Sequence, residues 1–179
     1  MKRTVKLIVH SLVFVSILGC TSTPRGYDTV EELYQASLVA IKSKDKTQIE
    51  NFVKTILSDE STAKYMEKNN CVYRGFPQKL KEYPNAIDSS IVYTTQIFYD
   101  FALQLEGRYG NLDDLQFVGF DRDISSPKPL NEPQCKCQDI LFIEPQGLFV
   151  FKNNNDTIKY KIGELLKVNK EWKAFTLRL

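Results

Sequence analysis

The segment Tyr160-Lys-Ile-Gly-Glu-Leu-Leu-Lys-Val-Asn-Lys-Glu-Trp-Lys-Ala-Phe175 decides the predicted fold. Its apolar residues follow the pattern of two β-strands, and Asn169-Lys-Glu171 between them has the composition of a tight turn. Strands joined by so short a link pair as an antiparallel hairpin. Gly163 interrupts the first strand and predicts a bulge or bend that curves the sheet.

Other β-like segments precede and include this hairpin. They are Leu115–Asp121, Gln138–Glu144, Leu148–Lys152, Thr157–Val168 and Trp172–Leu179. The links Pro145-Gln-Gly147 and Asn153–Asp156 are also turn compositions. Because all these links are short, the C-terminal half is predicted to be an antiparallel meander.

The N-terminal half has the periodicity of amphipathic helices. The expected helices run from Asp28 to about Ile41, from about Ile49 to Leu57, from a cap at Ser58 or Asp59 to about Lys68, and from Asp88 or Ser89 to Gly107. Thr29 and Glu32 have the spacing of a capping box at the start of the first helix. Residues 69–87 and 122–137 are rich in Pro, Asn or Gly and are predicted to be loops.

Helices followed by strands predict one α+β domain over residues 28–179, with the helices on one face of the sheet. This order of elements, with a turn before Trp172 in the last hairpin, resembles the NTF2-like superfamily. The resemblance implies long helices packed on a strongly curved sheet that forms a cone. A cystatin-like fold, in which a single helix packs on a sheet, is the alternative.

The first twenty residues form an export signal. Lys2, Arg3 and Lys6 precede an apolar stretch, Leu7–Leu18, that is too short to span a bilayer permanently. The stretch closes at Ile17-Leu-Gly-Cys20, which resembles a bacterial lipobox. The resemblance implies that residues 1–19 are removed, that Cys20 is acylated, and that residues 20–27 are a polar tether to the domain.

Removal of the signal changes the charge and leaves no histidine. The mature chain has 21 basic and 22 acidic residues, a net charge of −1, so a nucleic-acid partner is not expected. The only histidine, His10, lies in the signal, which excludes hydrolases and zinc sites that need a histidine. Thr21 follows the acylated cysteine, and by analogy with enteric bacteria this favours the outer membrane, with the domain facing the periplasm.

Three cysteines remain in the mature domain. In an oxidising compartment we expect Cys71 to form a disulfide with Cys135 or Cys137, because a bridge between the last two would close a small, strained ring. The alternative is a site of three thiolates for a soft metal ion or a redox role. Asp121-Arg-Asp123 offers two carboxylates, but this motif is more typical of a solvated strand end, so no metal site is predicted.

No motif identifies an activity, a cofactor or a catalytic residue. The chain has nine Tyr and eleven Phe, most of which are expected to fill the core, although tyrosines could also line a cavity in an NTF2-like cone. The leading hypothesis is a membrane-tethered, non-catalytic domain that binds an envelope protein or a small apolar ligand. The alternative is a small NTF2-like enzyme, an isomerase or hydratase, that uses a buried Asp and Tyr.

Overall fold

The computed structural model describes residues 26–71, 73–130, 140–152 and 156–175. Within these ranges the chain is α+β, with helices first and antiparallel strands afterwards, so the predicted fold class is confirmed. None of the helices in the described ranges is long and apolar enough to cross a bilayer.

The helices are α1 (Val30–Ser43), α2 (Lys46–Ile56), α3 (Glu60–Lys68), α4 (Phe76–Glu82) and α5 (Ala86–Tyr109), with a short 3₁₀ turn at Tyr73–Gly75. The predicted capping box is present, because the Thr29 side chain accepts from the Glu32 N–H at 3.1 Å and Glu32 accepts from the Thr29 N–H. Asp59 caps α3 by accepting from the N–H of Thr62. The caps predicted for α1 and α3 are therefore present, whereas α2 begins earlier than expected, after Asp45, which caps it by accepting from the N–H groups of Thr47 and Gln48.

Two features of the helical half were predicted wrongly. The segment 69–87 is not a loop throughout, because it contains α4, whose Phe76 is buried and whose Pro77 lies in the first turn, where proline is tolerated. Helix α5 passes through Gly107 and ends at Gly110, whose φ of 78° is in the left-handed region that favours glycine.

The strands form two antiparallel sheets. They are β1 (Leu115–Phe120), β2 (Lys128–Pro129), β3 (Leu141–Ile143), β4 (Gly147–Phe151), β5 (Thr157–Tyr160), β6 (Glu164–Val168) and β7 (Glu171–Phe175). Sheet one has the order β1-β4-β5 and sheet two has the order β2-β3-β6-β7.

One bent hairpin runs through both sheets. Strand β3 continues into β4 and pairs with β6, while β4 pairs with β5, which continues into β6. The predicted hairpin turn at Pro145-Gln-Gly147 is therefore wrong, and these residues are the bend of a single strand that passes from sheet two to sheet one. The opposite strand bends at Gly163, where φ is 127°, which confirms the bend predicted there.

The helices do not all lie on one face, which corrects the sequence prediction. Leu165 and Leu166 are consecutive in β6 and therefore point to opposite faces of sheet two, yet both are fully buried. Leu165 packs with α1, α2 and α5 in the main core, whereas Leu166 packs with Met66 of α3 and Phe76 of α4 in a second core. Sheet two is thus covered by helices on both faces.

The chain enters the domain at the edge of sheet two. The N–H of Trp172 donates to the carbonyl of Tyr27 at 2.8 Å, and the N–H of Gly26 donates to the Glu171 carboxylate at 2.9 Å. A side chain on Gly26 would meet the Trp172 carbonyl oxygen at 2.8 Å, so this close approach needs glycine. Residues 26 and 27, which the sequence assigned to the tether, are therefore bound to the edge strand β7.

Candidate binding cavities

Aromatic rings fill the space between the helices and sheet one. Tyr34 of α1 is fully buried and lies against Phe117 and Phe120 of β1, with ring centroids 5.8 and 5.1 Å apart. Tyr160 of β5 stacks on Phe101 of α5 at 4.8 Å. The main core is therefore packed by ring contacts of the kind that stabilise protein interiors.

The hydroxyl of Tyr34 bridges the two bent strands. It donates to the carbonyl of Pro145 at 2.8 Å and accepts from the N–H of Ile162 at 3.3 Å. These two backbone groups lie where the bend interrupts the strand pairing, so the hydroxyl replaces the missing partners. Gly147 makes room for the ring, because a side chain there would meet Tyr34 carbon atoms at 2.4 and 2.5 Å. We call this arrangement the Tyr34 bridge.

Buried tyrosines in this core are protonated at neutral pH. Burial raises the pKa of Tyr34 to about 12, although the hydrogen bond from Ile162 partly opposes this shift. Burial also raises the pKa of Tyr160, and the neighbouring Tyr34 adds to the effect. Among the described residues, the buried polar or charged side chains are Ser37, Ser58, Thr62, Ser90, Thr95 and Lys173, and none of them is a carboxylate.

A groove of about 220 Å³ lies between α3 and α4, on the outer side of the second core. Its floor is apolar and its rim is charged. The lining residues are Glu60, Ala63, Lys64, Glu67, Pro77, Leu80, Lys81, Pro84 and Ile87. Lys81 pairs with Glu67 across the groove, and Lys64 pairs with Glu60 along α3 at 3.6 Å. This α3–α4 groove is below the range of about 300–1,000 Å³ that is typical of small-molecule sites, so it suits a single apolar side chain.

A second, more open cavity of about 390 Å³ lies beside the point where the chain enters the domain. The residues that line it are Asp28, Thr29, Val30, Glu31, Asp123, Ile124, Ser125, Lys167 and Trp172. Lys167 Nζ lies 5.7 Å from the centre of the Trp172 ring, within the range of a cation–π contact. The N–H and hydroxyl of Ser125 both donate to Asp123 and lower the pKa of its carboxyl. We call this the tether-side cavity.

The predicted cysteine sites lie partly outside the described residues. Cys20, Cys135 and Cys137 are all outside them. Cys71 is described; it is fully buried in the second core and is disulfide-bonded. Which of Cys135 and Cys137 pairs with it stays a prediction.

The acidic motif Asp121-Arg-Asp123 is split between two environments. Asp121 pairs with Lys159 of β5 at 2.8 Å, whereas Asp123 lines the tether-side cavity. No group of three or more metal-ligating side chains occurs in the ranges that the structure describes.

Sequence reasoning missed both cavities and the Tyr34 bridge. Tyr34 lies at the spacing of an apolar helical stripe in α1, and nothing in its neighbours indicates a contact 111 residues away. The adjacent apolar pair Leu165-Leu166 was the available signal for a strand covered on both faces. The groove is a consequence of that second layer.

In comparisons with known proteins, no family model, no curated protein and no solved structure matches this chain. Its function is therefore inferred from its own residues and geometry.

Proposed function

We propose that this protein is a lipid-anchored, non-catalytic binding protein of the bacterial cell envelope. Cys20 carries the acyl chains, the anchor lies in the outer membrane, and the folded domain faces the periplasm. The anchor is supported by the sequence of residues 1–20, in which basic residues are followed by an apolar stretch and then by Gly19 and Cys20.

The observation that carries the binding role is the α3–α4 groove. The interior of the domain is packed with aromatic rings, whereas Ala63, Leu80 and Ile87 form an apolar surface open to the outside. A segment of a partner protein that presents one apolar side chain, flanked by charged residues, matches the apolar floor and the mixed charges of the rim. The anchor would raise the local concentration of the domain toward such envelope partners.

The anchor is tested by the intact mass of protein extracted from membranes. We expect loss of residues 1–19 and added acyl mass on Cys20. Cys20→Ala should release the domain from the membrane or block its processing. Wild-type protein recovered soluble, unacylated and starting at another residue would refute the anchor.

The groove is tested by site-specific photocrosslinking in living cells with the full chain. A photoreactive residue at position 87, on the groove wall, should give one discrete crosslinked product. The matched control is position 92 on the same helix, because Val92 is 71% exposed and does not line the groove. An additional Ala63→Leu substitution should abolish the product at position 87 by filling the groove. The same product from position 92, or a product unaffected by Ala63→Leu, would contradict the proposal.

A further inference from the structure

The tether-side cavity contains opposite charges that do not pair with one another. Lys167, Asp28 and Glu31 all line it, yet in the described part of the chain none of the three forms an ion pair. Elsewhere in the domain lysines and carboxylates that lie together do pair, such as Lys159 with Asp121 at 2.8 Å. A ligand with a negative and a positive group would complete both halves of the cavity.

The position of the cavity identifies where such a ligand comes from. Gly26 and Tyr27 are hydrogen-bonded to β7, and Asp28 of the cavity follows directly. The six residues from Cys20 to Arg25 reach at most about 20 Å when fully extended. If Cys20 is acylated as proposed above, this end of the domain lies close to the head groups of the bilayer.

We propose that the tether-side cavity binds the zwitterionic head group of a phospholipid, of the phosphoethanolamine type. The phosphate lies against Lys167, and the ammonium lies against the carboxylates of Asp28, Glu31 and Asp123. Val30 and Ile124 supply apolar walls for the carbon atoms between the two charges. The inference rests on the lipid anchor of the proposed function and is independent of the α3–α4 groove.

The chain contains its own reporter for this binding. Trp172 lines the cavity, and it is the only tryptophan in the sequence. A ligand that reaches the cavity should therefore change the fluorescence of a single, known indole. Glycerophosphoethanolamine, the head group without acyl chains, is the probe, and glycerophosphoglycerol is the matched control because it keeps the phosphate and lacks the ammonium.

Processed protein extracted in detergent should show a saturable change in Trp172 emission with glycerophosphoethanolamine and at least about tenfold weaker binding of glycerophosphoglycerol. Lys167→Met should weaken binding of glycerophosphoethanolamine by a similar factor. Lys170→Met, on the exposed turn next to the cavity, should leave it unchanged. Because Lys167 contacts Trp172, calorimetry repeats each titration without relying on fluorescence.

Equal binding of the two probes, or wild-type affinity in Lys167→Met, would overturn the proposal. If circular dichroism shows that Lys167→Met does not fold, Asp28→Asn tests the contact with the ammonium instead. Asp28 is exposed, and this substitution should also weaken binding of glycerophosphoethanolamine. Since these probes carry no acyl chains, a negative result here leaves the anchor and its mass measurement unaffected.

A membrane experiment tests whether the head group belongs to the bilayer. The anchored protein is placed in vesicles of phosphatidylethanolamine and phosphatidylglycerol in which the phosphatidylethanolamine carries a nitroxide near the top of one acyl chain, so that its ammonium stays free. Trp172 should be quenched in the wild type and less so in Lys167→Met. Quenching that is absent, or equal in both proteins, would show that the cavity does not hold the head group of the surrounding lipid.

Discussion

Sheet one is covered by helices on one face only, whereas sheet two is covered on both. The outer face of sheet one carries exposed residues such as Gln116, Val118 and Lys159. The corresponding face of sheet two is buried beneath α3 and α4. Although the same hairpin runs through both sheets, only the second sheet has a helical layer outside it, and that layer forms the α3–α4 groove.

The two cores also differ in how they are held together. Among the described residues, the main core contains 21 buried apolar residues and the second core contains eight, so the second gains less from hydrophobic burial. Its additional link is the disulfide of Cys71, whereas ion pairs occur around both cores, as Arg74 with Glu164 at the second and Lys44 with Glu106 at the main core. The small core beneath the α3–α4 groove is thus reinforced by a covalent bond.

The largest expected effect is loss of the disulfide. The predicted partners lie about 65 residues from Cys71, and closing a loop of that length stabilises a protein by on the order of 4 kcal/mol in the chain-entropy model. Cys71→Ser should therefore lower the free energy of unfolding by about 2–4 kcal/mol in urea denaturation.

The same measurement identifies the partner of Cys71. Of Cys135→Ser and Cys137→Ser, one should match Cys71→Ser and the other should match the wild type. Non-reducing peptide maps should find the corresponding bridge. Three free thiols in protein purified from cells without reductant would contradict this account of the second core.

The next effect concerns the bend that separates the two sheets. Gly147→Ala places a methyl group against the buried ring of Tyr34. We therefore expect the free energy of unfolding to fall by about 3 kcal/mol. Gly107→Ala is the matched control, because a carbon added there, in the last turn of α5, meets no atom within 4 Å apart from the local helix backbone. In that variant the free energy of unfolding should rise by about 0.5–1 kcal/mol. Similar changes in the two variants would refute the close contact at Gly147.

Removing only the hydroxyl of Tyr34 tests the bridge itself. Tyr34→Phe leaves the Pro145 carbonyl and the Ile162 N–H without this partner. The free energy of unfolding should therefore fall by about 1–2 kcal/mol. Tyr83→Phe, at a half-exposed position, is the control and should change stability very little. Equal stability of Tyr34→Phe and the wild type would mean that the bend needs no bridge.

The smallest effect is a pH dependence in the second core. Burial alone would raise the pKa of Asp59, but hydrogen bonds from Ser61 and Thr62 and the charge of Lys173 outweigh it and hold the pKa below its ordinary value. A lowered pKa in the folded state stabilises the protein above about pH 4, and this contribution is lost as the pH falls through the folded value.

Asp59→Asn keeps a capping residue and removes the charge. The substitution should therefore lower the free energy of unfolding by less than about 1 kcal/mol at pH 7 and by still less at pH 3. Urea denaturation midpoints at the two pH values measure this effect. Glu60→Gln is the control, since its pair with Lys64 is highly exposed and should contribute nothing measurable at either pH. If the loss of stability in Asp59→Asn relative to the wild type grows toward low pH, the direction of the pKa shift is contradicted.

Neighbouring residues in the sequence were sufficient to predict some elements of the fold and insufficient to predict others. The caps at Thr29 and Asp59 and the bend at Gly163 depend on neighbouring residues and were predicted correctly. The segment Pro145-Gln-Gly147 has the same composition as a hairpin turn, and only the distant Tyr34 distinguishes it from one. The cavities combine residues from separate elements, so their positions follow from packing that no local pattern encodes.

Hydrogen exchange before and after reduction of the disulfide tests the central claim, that the second core depends on covalent reinforcement while the main core does not. In the reduced protein, amides in α3 and α4 should exchange at least about tenfold faster, whereas amides in α1, α2 and β4 should keep most of their protection. Unchanged exchange in α3 and α4, or an equal loss of protection in all helices and strands, would contradict it.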